Sequence, residues 1–406
     1  MPRVLFVSPG YPAEMPSFVR GLAEVGAEIV GVGDSPPAGL PRQVRALLSD
    51  YVTVPSLWNE DSVVAAAREC LADRAIDRVE CLWEPGMLLA ARLREAFGVP
   101  GLSVARTIPF RNKEAMKRAL DVAGIRTPRH AAAAGADAVR AAAERIGYPL
   151  IVKPIAGAGS ADTHRVEDRG ELERAIEATR HVAEVSVEEF VDGEEYTFDT
   201  VSVDGEPRYF NVAWYRPRPL VARTNEWISP QVVALRHPDQ TALAAGVEMG
   251  RRVLAALGFE SGFTHMEWYL KADGEAVFGE IGGRPPGAHQ VDQMNYACDI
   301  DVFRGWAEAV CFGRFSEPVR RDWNVANVYK RAQGEGTIRR IAGYDDFARR
   351  HRDAIVWDNL LPVGARRRNW KQTLVSDGFV VVRHPDLATT LAIADEFGES
   401  VQLYAA

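Results

Sequence analysis

Two glutamates, Glu267 and Glu280, flank an Asp-Gly pair in the stretch EWYLKADGEAVFGEIGGRPPG, residues 267 to 287. Asp-Gly between alternating apolar residues is the strongest short signal for a β-hairpin. With Asp273–Gly274 as a two-residue loop, Glu267 faces Glu280 and His265 faces Gly282. Met266, Trp268 and Leu270 then lie opposite Ile281, Gly279 and Val277 and form an apolar side, while both glutamates share the other. Directly opposed residues have β-carbons about 4.5–5.5 Å apart, and like charges placed there destabilise a sheet. On an exposed face, water and salt offset that repulsion. The sharper reading is a hard divalent cation. Mg2+, with Mn2+ as the alternative ion, takes oxygen ligands and completes its shell with water and substrate phosphates. Such a site asks the rest of the chain for nucleotide contacts.

Two lysines answer. Lys153 ends the apolar strand YPLIVKP, where a lysine is rare without an anionic partner. The loop after it, AGAGSADTH, is small enough for backbone N–H groups to approach phosphate oxygens. Taken alone, a loop of this kind is equally a linker. Lys113 opens a helix at RNKEAMK, where a solvated lysine is the bland alternative.

The elements that must position these residues follow from the pattern of the whole chain. Its 406 residues suggest two or three domains, and 47% hydrophobic content is enough to bury large cores. A net charge of -8 argues against nucleic acid or an anionic membrane as partner. No stretch approaches the roughly 20 apolar residues of a membrane span. The opening MPRVLFVSPGYP does not resemble a signal peptide, and Cys70, Cys81, Cys298 and Cys311 form no CxxC pair. They read as free thiols of a cytoplasmic protein.

Residues 1–106 alternate strand and helix, which predicts a doubly wound parallel α/β domain. RVLFV, AEIVGVG and RVECLW are its strands. Ser17 is the expected cap of SFVRGLAEVG, and Gly98 closes GMLLAARLREAFG. SPGYPAEMP lacks the GxGxxG spacing of a Rossmann fingerprint. Residues 107–318 carry mainly antiparallel strands, including a hairpin at Asp204–Gly205. Residues 319–406 read as a small α+β domain, in which the basic runs FARRHRD and ARRRNW are expected to be solvated surface.

In order, RNKEAMKRALDVAGIRTP, YPLIVKP, VEEFVDGEEYTFD, HMEWYL and FGEIGGRPPG resemble the motifs of the ATP-grasp superfamily. The resemblance covers essentially the whole chain. It implies an N-terminal α/β domain, a central grasp of two α+β subdomains around ATP, and a C-terminal completing domain. By residue, it implies that Lys113 and Lys153 contact ATP phosphates, that Glu188 and Val191 hold the adenine, and that Glu195 binds ribose hydroxyls. It implies that Glu267 and Glu280 ligate magnesium and that Arg284 meets the transferred phosphate or the reacting carboxylate. Dimers are common among proteins of this layout, which leaves a homodimer open while the sequence itself fixes no oligomeric state.

Two departures mark the sequence. Where the family commonly has Asn two residues after the second metal carboxylate, this chain has Gly282. The phosphate loop carries Asp162 and His164 in or beside it instead of Ser-Gly pairs. The form EIGGRPPG is similar to the branch of L-amino-acid ligases and other carboxylate–amine ligases. Because His265 faces Gly282, its imidazole is expected to fill the space of the missing Asn and to contact phosphate or the acyl oxygen. Glu226, in RTNEWISP, is a candidate for the amino group of a substrate. The reading is an ATP-dependent ligase that joins a small carboxylic acid to an amine through an acyl phosphate. No protein nucleophile is needed, in keeping with the lack of a GxSxG signature. The competing readings are a bicarbonate-using carboxylase of the same superfamily and a nucleotide-binding module without catalysis.

Overall fold

The computed structural model describes residues 1–155, 162–373 and 375–406. Strands β1 (Arg3–Val7), β2 (Glu28–Gly33), β3 (Asp50–Thr53) and β4 (Arg78–Glu80) form a parallel sheet in the order β3-β2-β1-β4. The central strands β1 and β2 are apolar after their first residues because helices cover both faces. Val4 and Phe6 pack with Phe18 and Leu22 of the helix Met15–Glu24, and with Phe303 and Trp306 of the helix Val302–Phe312. Leu5 and Val7 share the other core with Val63 and Ala67 of Glu60–Cys70 and with Leu89 and Leu93 of Met87–Phe97. The first helix starts at Met15, ahead of the expected Ser17 cap. Pro16 falls in its first turn, where the missing N–H has no partner to lose and the fixed φ is already helical. Gly98 closes Met87–Phe97 in the left-handed conformation, as expected.

A second, antiparallel sheet has the order β5-β8-β6-β7, from β5 (His130–Ala133), β6 (Leu150–Pro154), β7 (His164–Val166) and β8 (Val185–Glu189). The loop expected to approach phosphates falls mostly on residues 156–161, outside the described residues. At its far end Asp162 lies 3.4 Å from His181, and His164 pairs with Val152 inside the sheet.

The main sheet has nine strands. The central region gives β9 (Glu194–Val203), β10 (Glu206–Asn211), β11 (Ala213–Arg216), β12 (Gln231–Ala234), β13 (Gly262–Leu270) and β14 (Ala276–Gly282). The last part of the chain gives β15 (Asn324–Tyr329), β16 (Gln333–Gly334), β17 (Ile338–Ala342), β18 (Ile355–Asp358), β19 (Phe379–His384) and β20 (Gln402–Ala405). The order is β14-β13-β9-β11-β12-β15-β19-β18 with β10 beside β9, so the sheet runs on past residue 319, and β16, β20 and β17 form a separate small sheet. Among the described residues no helix is long and apolar enough to cross a membrane. The four cysteines are free thiols, with Cys70 exposed and the other three buried.

The two Asp-Gly turns differ. At Asp204–Gly205, Val203 pairs with Glu206 and both loop residues have positive φ, 50° and 84°, as a two-residue type I′ turn requires. At Asp273–Gly274 the expected two-residue loop does not form. Lys271 N–H donates to Glu275 O (3.0 Å), Gly274 N–H donates to Lys271 O (2.9 Å), and of the pair Gly274 alone has positive φ, 87°. This is the longer loop of a type I turn ended by a left-handed glycine. Asp273 instead accepts from Glu275 N–H (3.0 Å) and pairs with Lys271 (3.2 Å).

The longer loop shifts the pairing by one residue, setting Trp268 against Phe278 and Leu270 against Ala276. A bulge then cancels the shift between Trp268 and Glu267, with Gly279 as the extra residue. A Cβ on Gly279 would lie 2.8 Å from the Glu267 carbonyl oxygen. Beyond the bulge Glu267 faces Glu280 and His265 faces Gly282. Replacing Gly279 by Val therefore crowds the backbone at the point that sets the glutamate register. The expected loss is about 1–3 kcal/mol, read as a lower urea midpoint; an unchanged midpoint would show that the bulge accommodates a side chain.

Candidate active site

Alternate residues of a strand share a face, and one face of the main sheet gathers Glu195, Thr197 and Asp199 from β9 with His265, Glu267 and Tyr269 from β13. The register pairs Tyr269 with Glu195, Glu267 with Thr197 and His265 with Asp199, while β14 brings Glu280 and Gly282 alongside. The carboxylates of Glu267 and Glu280 keep 30% and 27% of their side-chain surface exposed, so both open to the cleft.

Cations surround this pair. Lys113 Nζ lies 2.9 Å from Glu280 Oε1. Its helix, Lys113–Val122, starts sharply because the Asn112 side chain accepts from the N–H groups of Glu114 (3.1 Å) and Ala115 (2.9 Å). His265 stands between Asp199 and Glu267, with Nδ1 2.5 Å from Asp199 Oδ1 and Nε2 3.6 Å from Glu267 Oε1. Burial disfavours its charged form, but the two carboxylates outweigh burial and raise its pKa to about 9. Burial likewise works against ionisation of Glu267, and the hydrogen bond and charge of His265 outweigh it, holding the carboxyl below its ordinary range. Asp199 is fully buried and also accepts from Thr197 (2.7 Å) and Asn211 (3.2 Å). Tyr215 Oη donates toward Glu267 Oε1 at 3.4 Å.

The second sheet supplies the opposite wall. Lys153 Nζ is 3.0 Å from Glu188 Oε2, and Lys117 bonds the other oxygen of the same carboxylate. Burial alone would push Glu188 up; the two ammonium groups hold it well below the usual carboxylate range. Lys153 loses by burial and gains from Glu188, Glu280 and Glu267, and its pKa ends raised. Val191 is buried, and its carbonyl accepts from Arg218 (2.8 Å), which also reaches Glu195 (3.2 Å) and lies over the rings of Phe190 and Tyr269. Burial and the nearby charge of Glu267 push Glu195 up to about 8, against the pull of Arg218.

Arg284 is fixed from the N-terminal domain. Its Nε and Nη2 lie 2.8 and 2.7 Å from Glu84 Oε2, and Arg111 takes the other oxygen at 2.5 Å. Glu226 sits elsewhere. It is exposed in the turn after the helix Pro219–Thr224 and bonds Arg367, whose side chain is only 5% exposed and also pairs with Glu335. The run ARRRNW is thus not all solvated surface, since its middle arginine turns inward.

Nine of the ten residues expected from sequence, all but Glu226, lie in this cleft or on its walls. Lys117, Glu84, Arg111, Arg218 and Asp199 were not anticipated. Lys117 carried a signal, because Lys113, Met116, Lys117 and Leu120 form one buried stripe at helical spacing. Glu84 carried none, since only the fold brings it 200 positions along the chain to Arg284.

Two opposed carboxylates with hard oxygen donors, open to the cleft and already meeting an ammonium group, fit a divalent cation that takes its remaining ligands from water and phosphate. A family model described as an ATP-grasp domain matches residues 146–291. An L-amino acid ligase structure from Bacillus licheniformis superposes over 100% of this chain and 99% of its own, with a TM-score of 0.81 at 21% identity. The chain contains an ATP-grasp domain. N5-carboxyaminoimidazole ribonucleotide synthetase from Thermotoga maritima superposes at TM-score 0.71 and 15% identity, over 100% of each chain. Among curated relatives, the L-arginine-specific L-amino acid ligase of Bacillus subtilis is 26% identical over 223 residues, 53% of each chain. The alanine–anticapsin ligase of the same species is 25% identical over 279 residues, 63% of this chain and 58% of that one. This chain spans a little over half the length of these curated relatives.

The helix Lys113–Val122 also joins the two walls through a pH-sensitive contact. His130 on β5 lies 2.8 Å from Glu114 and 2.9 Å from Asp121 of that helix. Burial opposes its protonation, the two carboxylates outweigh burial, and its pKa rises above 6.5. A raised imidazole pKa gives stability that is complete below about 6.5 and lost as pH rises through the folded value. The urea midpoint of the wild type should therefore fall across that rise, and His130→Gln should flatten the profile. Parallel profiles for the two proteins would remove His130 from the linkage.

Proposed function

We propose that this ATP-grasp protein is an ATP-dependent carboxylate–amine ligase with an amino acid among its substrates. The opposed Glu267 and Glu280, ringed by Lys113, Lys153, His265 and Arg284, carry this reading. The ligase names of the curated relatives support it. In the reaction a carboxylate oxygen attacks the γ-phosphorus of ATP, forming an O–P bond as the bond to ADP breaks. An amine then attacks the acyl carbon, phosphate leaves with the bonding electron pair, and the nitrogen gives up a proton.

Two anions must meet in the first step, so charge neutralisation and alignment are the main tasks of the protein. Glu267 and Glu280 would hold magnesium, or manganese, which when bound offsets negative charge on the phosphates. Lys113 and Lys153 bind phosphate oxygens, with Lys153 kept cationic by Glu188. Glu188 and the backbone around Val191 border the adenine, and Glu195 takes the ribose. Arg284, held by Glu84, aligns the acid. His265 positions Glu267 and fills the side left open by Gly282. The free thiols fit a cytoplasmic setting, and a homodimer is the assembly that the family layout supports.

The decisive experiment is coupled ADP release over a panel of amino acids, singly and in pairs, with products identified by mass. A product equal to two substrates less one water is expected. ATP hydrolysis that needs bicarbonate alone would favour a carboxylase, and no release with any acid would favour a nucleotide-binding module. Within an active enzyme, Glu267→Gln and Glu280→Gln should each lower kcat/KM by about 10²–10³, equivalent to several kcal/mol of charge stabilisation. His265→Ala should raise the magnesium concentration for half-maximal rate by about 10–100-fold, the usual effect of losing a residue that orients a metal ligand. A rate that stays low at saturating magnesium would instead put His265 in contact with the reacting groups.

A further inference from the structure

The parallel sheet has a feature that the ligase reading does not use. In the order β3-β2-β1-β4 the chain steps outward from β1 through β2 and β3, then crosses to place β4 on the other side of β1. The loops leaving β1 and β4 therefore diverge, and open α/β sheets bind ligands in the crevice outside the carboxyl ends of the strands at such a switch point.

Three aromatic residues stand there. Tyr11 follows β1, Trp58 follows β3 and Trp83 follows β4. Trp83 packs edge-to-face with both of the others, at 6.2 Å and 77° to Tyr11 and at 5.4 Å and 70° to Trp58. Tyr11 and Trp58 are nonetheless 64% and 71% exposed, leaving large ring surfaces open next to Trp83. The next residue after Trp83 is Glu84, which holds Arg284. The helix that follows this turn packs against the end of the hairpin, since a Cβ on Gly283, next after β14, would lie 2.8 Å from Met87 Cε.

We infer that this crevice receives the side chain of the acid substrate, and that it takes a large apolar or aromatic one. Rings of Tyr and Trp offer stacking and edge contacts to such a group. Charge narrows the class. The single carboxylate of Glu84 is shared between Arg284 and Arg111, so a cationic side chain would enter beside two guanidinium groups, whereas the carboxylate of the acid is drawn to them. The inference rests on the ligase reading for the chemistry and on the N-terminal sheet for the pocket.

The test compares wild type with Trp83→Ala and Trp58→Ala. Trp58 is largely exposed, so its removal leaves the fold intact, as circular dichroism would verify. The first measurement is the ratio of kcat/KM for L-phenylalanine over L-alanine in ADP release. The second is calorimetric binding of L-phenylalanine in the presence of magnesium and a non-hydrolysable ATP analogue. The wild type should favour phenylalanine by about tenfold or more, the scale of apolar pocket discrimination. Both variants should cut that ratio about tenfold, mostly through KM, and weaken phenylalanine binding in parallel. A ratio unmoved in both variants, or a wild type that prefers L-arginine or L-lysine, would overturn the pocket while leaving the ligase reading in place. Phenylalanine binding that depends on Trp58 without ADP release from any acid would overturn the ligase reading and keep the pocket. Neither binding nor release would overturn both.

Discussion

Two carboxylates set face to face across neighbouring strands are the constraint around which this cleft is built. Unit charges roughly 5 Å apart repel by about 3 kcal/mol at an effective dielectric constant of about 20. A fold that keeps Glu267 and Glu280 opposed must bring positive charge to them, and each buried cation in turn needs an anion. The structure resolves this by alternation. Asp199 stands behind His265, which stands beside Glu267; Lys113 meets Glu280; Lys153 and Lys117 share Glu188; Arg284 and Arg111 share Glu84. These anions come from two sheets and from the loop after β4. The electrostatics of one hairpin thus specify how the parallel sheet, the second sheet and the main sheet stand around a common cleft. Buried ion pairs of this sort add little net stability, and their value here lies in fixing one arrangement.

The glutamate register shows how far local sequence rules reach. Asp-Gly pointed to a hairpin in both places, and at Asp204 the two-residue loop is present. At Asp273 the loop is one residue longer, yet Glu267 still faces Glu280, because the bulge at Gly279 restores the pairing. Two local deviations cancel, so the pairing that matters for chemistry agreed with the simple rule although the turn did not. Gly279 was visible as a glycine in a strand, which is a known mark of a bulge, but its effect on register depended on the length of the turn.

The N-terminal domain was legible as a parallel α/β unit from its alternating pattern, and its main helices began or ended close to the expected residues. Ser17 failed as a cap because a proline upstream could occupy the first turn. The site was legible where chemistry lies on a strand or helix with a periodic environment, as at Lys113, Lys153, Glu267 and Glu280. It was hidden where a contact spans the chain. Glu84 lies in a short Trp-Glu-Pro-Gly turn with no spacing signal, and Asp199 is one of several polar residues in β9, with nothing in its spacing to pair it with His265. Glu226 shows the converse. Its sequence context suggested a substrate contact, while the fold gives it to Arg367 at the edge of the last domain.

The charge balance also suggests why the cleft should receive anions at two places. Glu188 is one negative charge between two lysines, and Glu84 is one negative charge between two arginines. Each hub therefore carries one positive charge more than its own carboxylate offsets, one on the second-sheet wall and one on the N-terminal side. The opposed glutamates lie between them with a negative surplus that Lys113 and His265 reduce. A polyphosphate suits the first hub, a substrate carboxylate suits the second, and a divalent cation suits the middle. Bringing an acid to a phosphate requires that sequence of charges, because the two reacting anions otherwise repel. In the proposed reaction the N-terminal sheet stands at the acid end of the cleft, where Glu84, which holds Arg284, and Trp83 are neighbours in one turn.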